Sequence, residues 1–233
     1  MLAVTRMHGG VCTAGIDEAG NWVRPVRPTQ TRTWDYDFVT DHCLLPIDFF
    51  HGGQSHLVNL GVTRFYLDGP TPKPPHSEDW TIDLSQQPQL IRKLSAAEQV
   101  AFLAAHLDAG PPLTVPSANR SLGLVLPDSF SFSFMPNATG EDVAVRASFN
   151  ACECRVSDAG CTDLRMRALG RKLLEKSRGE RTELTDDDFR SRGKEITYVA
   201  LGLSRLHKGR HWPIVVGVHS IPELEVEVDY TRL

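Results

Sequence analysis

Arg6, His8, Gly9 and Gly10, followed by Trp22, Arg24 and Arg27, are the residues of this sequence whose types suit a phosphorylated ligand. A guanidinium fork meets a phosphate at two points, a Gly-Gly pair lets backbone N–H groups approach an anion, and an indole offers a stacking plane. Arg64 and Arg205 occupy the place of Arg6 in two later segments of similar sequence. Each residue also has a structural alternative: Trp22 filling a core, and Arg24 paired with an acid.

Three other constellations carry potential chemistry. The run from Arg165 to Lys194 holds ten Lys or Arg against six Asp or Glu, and Arg167, Arg171 and Arg178 recur at helical spacing, as a phosphate-binding stripe would. Glu175 and Glu180 interleave that stripe, which equally fits a solvated helix face. Cys152, Cys154 and Cys161, with His207, His211 or His219, are of zinc-ligand type, yet they lack the second close pair of a structural zinc site and read better as buried strand cysteines. His8, His42, His51, His56 and His76 with Asp35, Asp37, Asp41 and Asp48 could supply a general base or a hydrolytic metal, but their spacings match no metalloprotease, nucleophile-elbow or phosphate-loop pattern. The sequence therefore predicts no catalytic residue, no metal and no cofactor.

These side chains must be positioned mostly by strands. MLAV, VCTAGI and WVRPV, with the turn DEAGN before the last, predict two strands and a hairpin return, which Pro25 and Pro28 should end because proline cannot donate to a ladder. HCLLPIDFF and SHLVNLGVTRFYL predict a second β region, and GPTPKPPHSED an extended connector. LGLVL, FSFSF and VAVRASFNACECRV alternate with a period of two, and the chain returns to strands at ITYVALGLSR and PIVVGVHSI around the turn LHKGRHW; an acidic strand-like tail, ELEVEVDY, follows.

Two helices interrupt this pattern. Residues 95–109 combine a Ser95–Glu98 capping box, a stripe of Val100, Leu103 and Leu107, and a stop at Gly110. A second helix runs from Asp163 to about Arg178, capped by Thr162 and closed by Gly179, with Met166, Leu169, Leu173 and Leu174 inward; a short third turn starts at Thr185.

At 233 residues the chain admits one large core or two small ones. A net charge of −4 offers no overall attraction to nucleic acid, so any such binding rests on a local patch. The opening MLAVTRMHGG has no apolar signal region and no apolar run approaches membrane-span length, which predicts a cytoplasmic protein with no membrane partner. Five cysteines fit reduced thiols.

VNLGVTRF at residues 58–65 recurs as VALGLSRL at 199–206, and VTRMHGG near the start parallels LSRLHKG at 203–209, which predicts two similar halves. TRMHGGVCTAGI with NWVRPV, and YVALGLSR with HWPIVVGVHSIP, resemble the two ends of the bacterial dual OB-containing domain family. The resemblance implies tandem OB-like barrels in a prokaryotic protein, with nucleic acid or nucleotides as ligands and a role in antiviral defence. The expected fold is thus mainly β: two tandem OB-like β-barrels with two inserted α-helices, residues 1–94 forming the first barrel, 95–110 a helical connector, and 111–233 the second barrel with a helical insertion at 162–192. The expected function is a non-catalytic nucleic-acid or nucleotide-binding module. Its rivals are a protein-interaction subunit docking through the acidic tail Glu223–Asp229, and a small nucleic-acid-processing enzyme.

Overall fold

A computed structural model describes residues 1–7, 9–28, 31–32, 39–40, 43–108, 120–205 and 209–230. The chain is mainly β and divides into two compact units, Met1–Gln99 with Asn119–Ser121 and Asp229–Leu233, and Val100–Ala118 with Leu122–Val228.

In the first unit, β1 (Ala3–Met7) and β2 (Gly10–Ile16) form an antiparallel hairpin that sets Arg6 opposite Val11. The Asp17 carboxylate shapes the next turn by accepting from the N–H groups of Ala19 and Asn21 at 3.0 and 2.8 Å, and the chain returns as β3 (Trp22–Val26). Pro25 lies inside β3 rather than ending it. The β2–β3 ladder stops at the Gly15–Val23 pair, while the Arg24 N–H bonds to the Glu78 carbonyl on the other side; Pro25, pointing back towards β2, has no rung to break.

A short ribbon of β4 (Thr31–Arg32) and β5 (Val39–Thr40) precedes the stretch expected as strand, HCLLPIDFF, whose His42 lies outside the described residues. That stretch instead contains α1 (Pro46–Phe49): proline's fixed φ suits a first helical position, and Asp48 accepts the Leu45 N–H at 2.7 Å to close the turn. Next come β6 (Phe50–His51), β7 (Gln54–Ser55), β8 (Gly61–Arg64), β9 (Leu67–Pro70), β10 (Asp79–Ile82) and β11 (Gln89–Lys93). The principal sheet has the order β1-β2-β3-β10-β9, with β10 parallel to β3, while β8 and β11 form a separate antiparallel ribbon.

The helix α2 (Ala96–Ala105) starts at the expected box, where Glu98 accepts from the Ser95 N–H and hydroxyl, both at 2.8 Å. Of its expected stripe only Leu103 is buried; Val100 and Leu107 are each 38% exposed, and Gly110 lies outside the described residues.

The second unit holds β12 (Leu122–Val125), β13 (Ser129–Pro136), β14 (Val143–Ala151), β15 (Cys154–Cys161), α3 (Leu164–Lys176), β16 (Thr182–Thr185), α4 (Asp186–Ser191), β17 (Ile196–Leu203) and β18 (Pro213–Ile221). Its seven strands make one sheet in the order β12-β17-β18-β15-β14-β13-β16. The alternation of FSFSF sends Phe132 and Phe134 into the core with Val145, Phe149, Val199 and Val218, and leaves Ser131 half-buried on the other face. Helix α3 adds Met166, Leu169, Leu173 and Leu174 to this core. Its cap is Asp163, which accepts the Met166 N–H at 2.9 Å, not the expected Thr162. Thr185 caps α4 as expected. The tail Glu223–Asp229, expected as strand-like, forms no strand among the described residues: the Val226 N–H turns back to the Leu224 carbonyl at 3.2 Å, and Glu223 is held by Arg165 at 2.7 Å. Neither principal sheet closes into a full barrel among the described residues.

Candidate nucleic-acid interface

Three members of the first expected group are held inside the first unit. Trp22 is buried. Arg24 is buried too, and its Nε donates to Asp79 Oδ1 at 2.5 Å. Burial pulls the Arg24 guanidinium pKa down, but the Asp79 charge and hydrogen bond outweigh that and leave it raised, so the guanidinium stays charged. Separating a buried pair of this kind costs about 3–5 kcal/mol, more than a surface phosphate contact returns. Arg27 Nη1 reaches both carboxylate oxygens of Asp48, at 2.9 and 2.8 Å, which ties β3 to α1.

The Gly-Gly pair has two separate tasks. Gly9 has φ of 74°, which the turn requires and which costs glycine least. Gly10 lies flat against Leu44, whose carbonyl a Cβ would strike, while Val11 and Leu44 exchange backbone hydrogen bonds at 2.8 Å. His8 lies outside the described residues. Arg6 is half-buried at the end of β1, and Arg64 is exposed at the end of β8, opposite Gln89.

Arg205 follows β17, at the turn into β18. The two echoes therefore differ in meaning. The shorter one falls on two β-hairpins, β1–β2 and β17–β18, each with an arginine entering the turn and a positive-φ glycine within it, Gly9 at 74° and Gly209 at 78°. The longer one pairs unlike backbones: Leu60 has φ of 55° ahead of β8, whereas its counterpart Leu201 lies within β17.

Ser204 ties the end of β17 to the start of β18. Its N–H donates to the Trp212 carbonyl at 2.8 Å and its hydroxyl accepts the Trp212 N–H at 2.9 Å, one rung past the Leu203–Pro213 pair. The His211 Nδ1 lies 2.7 Å from the Ser204 carbonyl oxygen. The Arg210 guanidinium sits over the Trp212 ring, 3.4 Å from its centroid, and Trp212 remains 37% exposed. Residues 196–222 contain no Asp or Glu but do contain Arg205, Lys208 and Arg210, in a chain of net charge −4. The absence of acids from this stretch is a signal that motif reasoning passed over, and it marks Arg210 and Trp212, two residues outside the expected group.

The other constellations resolve into structure. Arg167 and Arg171 of the basic stripe both bind Asp142, and Arg178 lies beyond the end of α3. Cys152 does not share a strand face with Cys154: it sits with Glu153 in the two-residue β14–β15 turn, and Cys161 is buried. Among the described residues no three His, Cys, Asp or Glu side chains form a metal-binding group; His207 lies outside them, as do His42, Asp35, Asp37 and Asp41. His51 and His56 stack on one another at 3.7 Å. His76 is buried with its Nδ1 2.8 Å from the Ser121 hydroxyl.

Against known proteins, a family model described as the dual OB-containing domain matches residues 1–218. The chain belongs to that family. The two hairpins that carry the shorter echo both begin within the matched region, so the dual OB-containing domain accounts for both ends of the β architecture. No curated protein and no solved structure matches the chain significantly. As in the sequence reading, no helix among the described residues is long and apolar enough to cross a membrane.

Proposed function

We propose that this dual OB-containing domain is a non-catalytic nucleic-acid or nucleotide-binding module. The observation that carries the reading is the acid-free β17–β18 hairpin, which concentrates Arg205 and Arg210 beside an exposed indole in a chain that is acidic overall. OB-type domains offer strands and loops of this kind to extended anionic ligands. Arg6, at the matching hairpin of the first unit, and the exposed Arg64 supply further cationic contacts. Arg24, Arg27 and Trp22 support the first unit from within, and Gly9 and Gly10 shape its hairpin.

Fluorescence anisotropy with labelled single-stranded DNA and RNA at low ionic strength tests the proposal. Binding should fall about a hundredfold in the Arg6→Ala, Arg205→Ala double variant, the scale of two lost charge-assisted contacts at about tenfold each. Absence of binding by the unmodified chain to DNA, RNA and nucleotides alike would overturn the proposal. The family resemblance extends it to prokaryotic antiviral defence, for which phage challenge of cells carrying Arg205→Ala in place of the natural chain is the test.

A second reading rests on the tail. Glu225, Glu227 and Asp229 are exposed and alternate with half-buried Leu224, Val226 and Val228, the pattern of a strand awaiting a basic partner strand. Co-purification of a protein lost on changing the three acids to Ser would favour it.

A further inference from the structure

Granting the nucleic-acid reading, we infer that Arg210 and Trp212 form a stacking platform for an unpaired base, which makes the ligand single-stranded nucleic acid rather than duplex. The first argument is orientation. Ser204 fixes the Trp212 backbone by two hydrogen bonds, and the guanidinium 3.4 Å from the ring centroid biases the indole towards one pose. A platform ordered before the ligand arrives loses little conformational entropy on binding.

The second argument is chemical. Both the indole and the planar guanidinium are surfaces on which nucleobases stack, and Trp212 keeps 37% of its surface exposed while Trp22 is buried. The bases of a duplex hide their π-faces in the stack, so a protruding indole gains contact only from bases that are unpaired. The third argument is electrostatic: Arg205 precedes the same turn, and no acid in residues 196–222 opposes a phosphate backbone there.

The test uses the full chain and three probes: an oligothymidylate of roughly 15 nucleotides, the same oligonucleotide with its central bases removed, and a duplex of equal length. Trp212→Ala should weaken oligothymidylate binding about tenfold, and Trp212→Phe, which keeps an aromatic face, much less. The abasic probe should bind the unmodified chain and Trp212→Ala alike. Oligothymidylate should quench tryptophan emission in the unmodified chain and not in Trp212→Phe. Arg210→Ala, on an exposed side chain, gives a second variant should Trp212→Ala fail to fold, and it should weaken the same probe.

If the unmodified chain binds oligothymidylate but Trp212→Ala binds it equally and no quenching occurs, the platform is refuted while the nucleic-acid reading stands. Duplex bound as tightly as single strand refutes it in the same way. If none of the three probes binds, the platform is refuted, and the nucleic-acid reading falls with it only if RNA and nucleotides also fail to bind.

Discussion

Asp142 accepts from Arg167 Nη2 at 2.5 Å and from Arg171 Nε at 2.8 Å. Burial pushes its carboxyl pKa up, but the bond from Arg171, the Val143 N–H and the charge of Arg167 more than offset this and hold it well below the ordinary carboxylate range. Arginine is therefore ambiguous when read from sequence alone. At Arg24, Arg27, Arg167 and Arg171 the partner carboxylate is distant in the chain, so no local pattern distinguishes a clamp from a ligand contact. Histidine carries a pH signature instead. The His51 Nδ1 is buried without a hydrogen-bond partner, and burial, then the neighbouring His56, lowers its pKa from 6.5. The folded chain protonates this imidazole at a lower pH than the unfolded chain does, so the stability it supports is present above 6.5 and is lost as pH falls below that value through the lowered folded one. The melting temperature should drop between about pH 7.5 and about pH 5.5, and His51→Phe, which preserves the stack on His56, should flatten that drop.

Among the elements, α3 shows how tightly a helix is seated. Gly170 faces the core, where an added Cβ would lie 2.6 Å from Phe134 Cδ1 and 2.8 Å from Val143 Cγ2. Overpacking of this kind costs about 1–3 kcal/mol, against about 1 kcal/mol of helix propensity gained by alanine. Gly170→Ala should therefore lower the melting temperature by a few degrees, where an exposed helical glycine would raise it. Both long helices and the strands flanking the two hairpins were legible, because capping boxes and period-two alternation are local properties. What escaped reading depended on distant partners. Asp79–Ile82 becomes a strand by pairing in parallel with β3, and the HSE stretch of the supposed connector supplies the buried His76 and Glu78. Of the site residues read from the sequence, Arg6, Arg64 and Arg205 keep a place in the proposed interface. Arg210 and Trp212 escaped because their significance is a stacked geometry and an absence of acids, not a motif.

For the whole molecule, a net charge of −4 means that binding of a polyanion draws on few cations. Each phosphate contact made by a single strand contributes about −0.7 to the slope of log binding constant against log salt. Contacts from Arg6, Arg64, Arg205 and Arg210 thus predict a slope of about −3, and Arg210→Ala should reduce its magnitude by about 0.7 in a salt titration. The open sheet of the second unit has a further consequence. Its outermost strands, β12 and β16, are four residues long, against eight or nine for the five between them. On β12 the Asp108 backbone and carboxylate already engage Leu124, and on β16 the charged Glu183 stands exposed. Short, charged or occupied margins give a neighbouring molecule little to extend, so a barrel left unsealed need not become a seed for polymerisation.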